Sequence, residues 1–406
     1  MKKLGFYPWM ILICFVLTAF IISDNSDQNG WRGINRDGKV KGFALPAKWP
    51  GVLKQAWKVN VGLGDASPVL VGNMLYLHTK RDSSEVALCI HATSGEKVWE
   101  TISNKAPVVT GGAASHPGPR STPFVANGKV ITIGAGGYVA CRKASNGELI
   151  WKSEEFAVEV PQFFVGVSPL IIENKVIAHL NGKEKGTVVA FDINNGAVIW
   201  KLEGEPSTYS SPVKMTTKKN MIVVQGEKDL LGVSVDKGEL LWKIPTPGES
   251  RFYNSSTPIV TGNQVIIAGQ GSGTRNFTIG GEAGNYQVTE KWKNPEISVS
   301  FNTPVLIDGF LYGNEARFGY VFCLNAETGA KCWTDTLKNN RFASVLDLGK
   351  VMISLPATGW LIVFKPDNTK YTEIVRYKVA DTEVYAHPVV NGNKIYVKTP
   401  YLATGE

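Results

Sequence analysis

The feature that most constrains the fold is a hairpin spelled five times, a turn glycine followed four residues later by tryptophan: Gly95/Trp99, Gly147/Trp151, Gly196/Trp200, Gly238/Trp242 and Gly329/Trp333. A chain that repeats one local motif in one register is an array of copies of a single unit. A second landmark recurs with it. A small polar residue, or once a histidine, and a proline open a short apolar strand at Ser67-Pro68, Thr122-Pro123, Ser168-Pro169, Ser211-Pro212, Thr257-Pro258, Thr303-Pro304 and His387-Pro388. Successive prolines lie 55, 46, 43, 46, 46 and 84 residues apart. The last interval is twice 42, so a unit without its proline is expected between them, beginning at Phe342-Ala343-Ser344-Val345.

A period in the forties with several short strands per copy is the signature of a β-propeller, one four-stranded blade per copy. Eight strand starts predict eight blades. In the first copy, residues 69–71, 74–78, 86–91 and 97–100 alternate apolar and polar residues between turn signals, and no stretch after residue 23 keeps a helical period. The expected class is all-β, an eight-bladed propeller of four-stranded antiparallel blades.

Closure of the ring is also legible. The outer strands read Val98-Trp99-Glu100, Ile150-Trp151-Lys152, Ile199-Trp200-Lys201, Leu241-Trp242-Lys243 and Lys291-Trp292-Lys293; Ala56-Trp57-Lys58 matches them with no copy in front of it. The last copy, meanwhile, ends without an outer strand. Residues 55–61 are therefore expected to supply it, which removes exposed sheet edges. The expected organisation is a leader over 1–23, a linker and strap over 24–54, and one propeller over 55–406, acting as a monomer. At 406 residues a single domain is reasonable because such a ring grows by repetition.

The leader is a different material. Lys2 and Lys3 precede an almost uncharged apolar run over residues 4–22, which reads as an export signal, either cleaved or retained as a membrane anchor. The remainder is then periplasmic, anchored facing the periplasm, or secreted. A net charge of +8 spread over the whole chain lacks the density of a nucleic-acid groove.

Cys89, Cys141 and Cys323 each stand six residues before a turn glycine, in the slot held by Ala190 and Gly232 in other copies, which suits a small buried residue. A turn centred on Glu327-Thr328 would set Cys323 directly opposite Cys332, where a cross-strand disulfide could form. No histidines are spaced with the cysteines as metal ligands, and HExxH, the Walker loop and the GxSxG elbow are all missing. The glycine-rich run from Gly269 to Gly273 has no helix pattern after it and reads as a hairpin loop.

The element Ala190-Phe191-Asp192 … Gly196 … Trp200 resembles the tryptophan-docking motif of the pyrroloquinoline-quinone-type (PQQ-like) propellers. These include quinoprotein alcohol dehydrogenases and the propeller lipoprotein of the outer-membrane barrel-assembly machinery. The opening Trp31-Arg32-Gly33 … Arg36-Asp37-Gly38, then Trp49-Pro50, is similar to the strap that begins many secreted members. The resemblance implies that Trp57, Trp99, Trp151, Trp200, Trp242, Trp292 and Trp333 staple each blade to its neighbour, with Tyr377 in that slot of the seventh copy. It implies two functions. One is a non-catalytic binding or assembly scaffold of the cell envelope, without a cofactor. The other is a dehydrogenase of alcohols or sugars using the quinone with calcium, although the adjacent cysteine pair of those enzymes is absent here.

A site is expected where the loops entering each inner strand converge at the channel mouth. Residues just before the strand starts give His116, Arg120, Phe163, Phe164, Tyr209, Arg251, Tyr253, Asn254, Phe301, Asn302, Arg341, Phe342, Tyr385 and His387; loops on the same face add Glu315 and Arg317. Arginine with aromatic rings suits an anionic or sugar-like ligand or a protein partner. The alternative is that these side chains bond one another and plug the channel.

Overall fold

A computed structural model describes residues 27–161, 163–182, 184–216, 220–248, 254–282 and 284–405. The leader, Arg251 and Tyr253 lie outside the described residues.

Alternating apolar residues between glycine-bearing turns fold into eight four-stranded antiparallel sheets, as the repeat predicts. In the first blade Val69–Val71, Met74–Arg81, Ser84–His91 and Lys97–Lys105 follow one another from the channel outward. The unit without a proline is the seventh blade, built from Ala343–Asp347, Met352–Pro356, Trp360–Phe364 and Glu373–Lys378. In the eighth, Gln55–Asn60 pairs antiparallel with Tyr401–Gly405, Trp57 opposite Thr404, so the two ends of the ring close it. Among the described residues no helix is long and apolar enough to cross a membrane.

The cores lie between blades. Ile131, Cys141 and Trp151 of the second blade pack with Val176, Val189 and Phe191 of the third, all nearly without solvent exposure. Each indole is also bonded. Trp57, Trp99, Trp151, Trp200, Trp292 and Trp333 donate Nε1–H to a carbonyl of the following blade at 2.8–3.1 Å: Ala92, Ala144, Ile193, Val235, Ala326 and Asp367. Tyr377 donates its hydroxyl to the Pro50 carbonyl at 2.8 Å.

Trp242 departs from this pattern. It packs on Val265, Ile267, Phe277 and Ile279 of blade five, yet its Nε1–H points back to Met221 Sδ of its own blade at 3.4 Å. Blade five has no glycine-tryptophan turn; it has a long hairpin, Gly273–Glu282 with Asn285–Asn294, so Ile279, at the acceptor's position, runs on in a strand opposite Val288. The indole instead leans over Gly232, where a Cβ would come within 2.1 Å of Cε2. That explains glycine in the slot where other copies hold cysteine, alanine or asparagine.

The slot stands directly across from the indole: Cys89 opposite Trp99, Cys141 opposite Trp151, Cys323 opposite Trp333. The expected facing of Cys323 by Cys332 is therefore corrected. A β-bulge in the outer strand skips Cys332 out of the pairing, because Leu324 pairs with Lys331, and all four described cysteines are free thiols.

The serine and threonine of the strand starts form a second ring. The N–H of Ser67 donates to Thr122 Oγ1, Thr122 to Ser168 Oγ, Ser168 to Ser211 Oγ, Ser211 to Thr257 Oγ1 and Thr257 to Thr303 Oγ1; the N–H of His387 returns to Ser67 Oγ. Proline at the next position has no N–H to compete and fixes the approach.

A candidate binding site at the channel mouth

The strap decides how much of the channel is left. Asp27 accepts the N–H of Gly72, in an inner hairpin turn of blade one, and Ala44 donates to the carbonyl of Gly392 in the matching turn of blade eight. Both turns lie on the face opposite the mouth. Between these points the chain rises inside the ring and turns. Asn29 exchanges bonds with Val125, Trp31 Nε1 donates to Thr257 Oγ1 at 3.0 Å, and Val40 donates to the carbonyl of Asp347.

Two arginines hold the tip. Arg32 donates to the carbonyls of Thr303 and Pro304 at 2.7 and 2.9 Å; Arg36 donates to those of Ser168 and Pro169. Their backbones take φ of 59° and 57°, and their side chains are buried; among the described residues neither makes a salt bridge, although the Asp37 carboxylate acts favourably on Arg32. Burial lowers their pKa values to about 10 and about 9, which still leaves both charged at neutral pH.

Above this plug remains a well of ≈ 290 Å³ with Trp31 in its lining. Its wall is an arc of rings in edge or tilted contact: Tyr209 to Phe301 at 5.7 Å, Phe301 to Phe342 at 5.2 Å, Phe342 to Tyr385 at 5.9 Å and Tyr385 to His116 at 4.5 Å. Each ring comes from a different incoming loop. Phe301 holds a φ of 54°, and Phe164 one of 66°. Positive φ on a bulky residue is strained and marks a position set by its surroundings.

The polar part of the wall is compact. His116 Nδ1 and Asp65 Oδ2 are 2.9 Å apart, both about 29% exposed, and this hydrogen bond raises the imidazole pKa. Arg120 donates to the carbonyls of Gly118 and His116 and lies 5.7 Å from the Phe164 ring. Behind Asp65, the fully buried Lys398 donates Nζ–H to the Gly64 carbonyl, and burial lowers its pKa to about 8.

The structure thus brings His116, Arg120 and Tyr385 together in the well, with Arg341 at the rim over Phe342 at 5.0 Å. Other candidates serve the frame. Asn254 donates to the carbonyls of Gly226, Glu227 and Thr246; Asn302 to those of Ser300, Asn314 and Arg341. Glu315 accepts three N–H groups of its own loop, those of Arg317, Phe318 and Tyr320. Arg317 is exposed over Phe318 at 4.7 Å, outside the well. His387 is buried below, 4.5 Å from the Trp31 ring, and burial holds it neutral. Asp65 and Trp31 are lining residues that the sequence reading passed over. Asp65 stands two residues before Ser67, the same place as other candidates; nothing in the strap pointed Trp31 at the mouth.

The quinone and calcium of the dehydrogenases make a specific demand. Calcium takes roughly six to eight oxygen ligands. The well offers one carboxylate, Asp65, already held by His116, and no group of three His, Cys, Asp or Glu among the described residues could hold a metal. The residues present do not fit that calcium ion.

Solved structures share the fold at low identity. BamB from Moraxella catarrhalis is 15% identical with a TM-score of 0.65, covering 88% of this chain and 98% of its own. Quinohemoprotein alcohol dehydrogenase from Comamonas testosteroni is 13% identical with a TM-score of 0.71, covering 94% and 80%. A europium-containing methanol dehydrogenase is 14% identical with a TM-score of 0.70, covering 92% and 89%. No curated protein matches the chain by sequence. The family model described as outer membrane protein assembly factor BamB matches residues 82–335, and this PQQ-like repeat propeller belongs to that family.

Proposed function

We propose that the protein is an exported propeller that acts in the bacterial cell envelope as a non-catalytic binding or assembly scaffold. In this reading residues 1–23 direct export or anchor the chain, residues 24–54 link and plug, and the ring over 55–406 works as a monomer. The observation that carries it is the filled channel. With Arg32 and Arg36 bonded to inner-strand carbonyls, what remains is a ring-lined well with a single carboxylate, a shape suited to recognition. Membership of an assembly-factor family supports the same reading.

Two measurements test it. A photo-cross-linker in place of Leu337, exposed on the mouth face, should trap envelope proteins in cells. Purified protein given the quinone, calcium, alcohols or sugars and a redox dye should show no turnover; dye reduction abolished by Asp65→Asn would overturn the scaffold reading in favour of a dehydrogenase.

A further inference from the structure

Hydrogen-bond accounting decides what the well can hold. Asp65 is bonded to His116, Arg120 to two carbonyls, the Tyr209 hydroxyl to the Phe163 carbonyl and Trp31 Nε1 to Thr257. Ser168 Oγ, Ser255 Oγ and Thr303 Oγ1 each accept a backbone N–H. A sugar would bring a shell of hydroxyls into a pocket most of whose polar groups already have a protein partner, and each unpaired one carries a desolvation cost. A large apolar side chain brings none. The arc from Tyr209 to Tyr385 and the Trp31 indole are surfaces that gain from covering it.

The surroundings of the well add a charge requirement. Arg341 lies over Phe342, while Arg317 and Lys338 both lie over Phe318, 4.7 and 5.2 Å from its centroid. All three cations are exposed, and their loops open on the mouth face. Deeper in, His116 Nε2 becomes a donor when the imidazole is protonated, a state that Asp65 favours.

We infer that the mouth takes one aromatic side chain of a partner polypeptide that is flanked in the partner by acidic residues. The ring enters the well towards Trp31, and the acids meet Arg317, Lys338 and Arg341. This rests on the mouth being a recognition surface.

The probe is a fluorescein-labelled pentapeptide with one phenylalanine between two aspartates, titrated against the full-length protein in detergent and read by anisotropy. The comparison peptides carry alanine for the phenylalanine, or lysines for the aspartates. The aromatic acidic peptide should bind about tenfold or more tighter than the alanine one, the effect expected from burying one such side chain. Phe301→Ala, at a ring 43% exposed, should remove most of that difference, and Phe342→Ser repeats the test on the adjoining ring. Arg341→Glu should weaken the aspartate peptide and strengthen the lysine one. Equal binding of the phenylalanine and alanine peptides, equal binding of the two charge types, or displacement of the peptide by methyl glucoside would each overturn the inference. Such a failure with cross-linking at Leu337 intact would leave the scaffold reading standing; quinone turnover would remove that reading first.

Discussion

Glu85 is wholly buried between blades one and two. Its Oε1 accepts the N–H of Ala135 at 3.0 Å, and its Oε2 lies 3.6 Å from His78 Nε2, which is 2.9 Å from the Tyr138 hydroxyl. Burial pushes the carboxyl up to about 7 and the imidazole down to about 3, so at neutral pH His78 carries no charge to pair with. A carboxyl with a raised folded pKa contributes stability that is complete below its unfolded value and is lost as pH rises through the folded one. Glu85→Gln should therefore match wild type near pH 4.5 and exceed it by about 2–3 kcal/mol at pH 8, read from paired denaturant melts. A constant difference across that range would refute it. At this scale the sequence was only partly informative. Recurrence marks Ser67, Thr122 and Ser168 as one kind of position, but a period in residues does not say which neighbour's N–H each hydroxyl receives. Asn302 and Glu315 illustrate the same limit: polar residues at the right loops read as ligands, whereas backbone carbonyls and N–H groups, invisible in a list of side chains, claim them.

The staples are properties of elements, because each needs an outer strand to carry the indole and a turn in the next blade to receive it. Gly196 takes a φ of 75°, and a Cβ there would lie 2.7 Å from the Trp151 ring, so Gly196→Ala should cost about 2 kcal/mol through both strain and displacement of the indole. The tryptophans should then separate by acceptor. Trp151→Phe forfeits a buried N–H to carbonyl bond at 3.0 Å and should cost about 1 kcal/mol beyond the lost area, whereas Trp242→Phe gives up a weak sulfur contact and should cost less. Equal losses in urea melts would contradict this ordering. The five copies of the hairpin made the blades legible in the sequence. The exception at Trp242 was not, since it depends on what blade five lacks, and a long hairpin looks unremarkable until the neighbour's indole is placed against it. The bulge at Cys332 escaped for a related reason: counting residues outward from a turn assumes an unbroken ladder, and the skipped residue shifts every partner beyond it.

At the scale of the whole molecule, the match of Ala56-Trp57-Lys58 to the outer strands revealed how the ring closes, because closure reuses the repeat. The strap does not reuse it. Its residues follow no period, and its bonds run to carbonyls of blades one, two, three, six, seven and eight, so its path through the channel had no counterpart in the pattern. Arg32 and Arg36 are the residues that fasten the tip, and the balance at each is between the burial of a charge and the carbonyls it serves. Removing Arg36 removes the charge but leaves the Ser168 and Pro169 carbonyls, beside the hydroxyl ring, without that donor. The loss of hydrogen bonds from a charged donor dominates, at about 1.5–3 kcal/mol each, so Arg36→Ala should destabilise the protein by about 2 kcal/mol or more. Lysine should not restore it, because one ammonium on a flexible stem does not reproduce the planar fork that reaches both carbonyls. Hydrogen exchange separates a local effect from a global one. The amides of Gln28 and Val40, bonded to Leu70 and Asp347, should exchange faster in Arg36→Ala, while that of Ile131, in the middle of a blade, should keep its protection relative to global stability. Uniform loss of protection across blades and strap would mean that the strap does not open on its own but unfolds only with the ring.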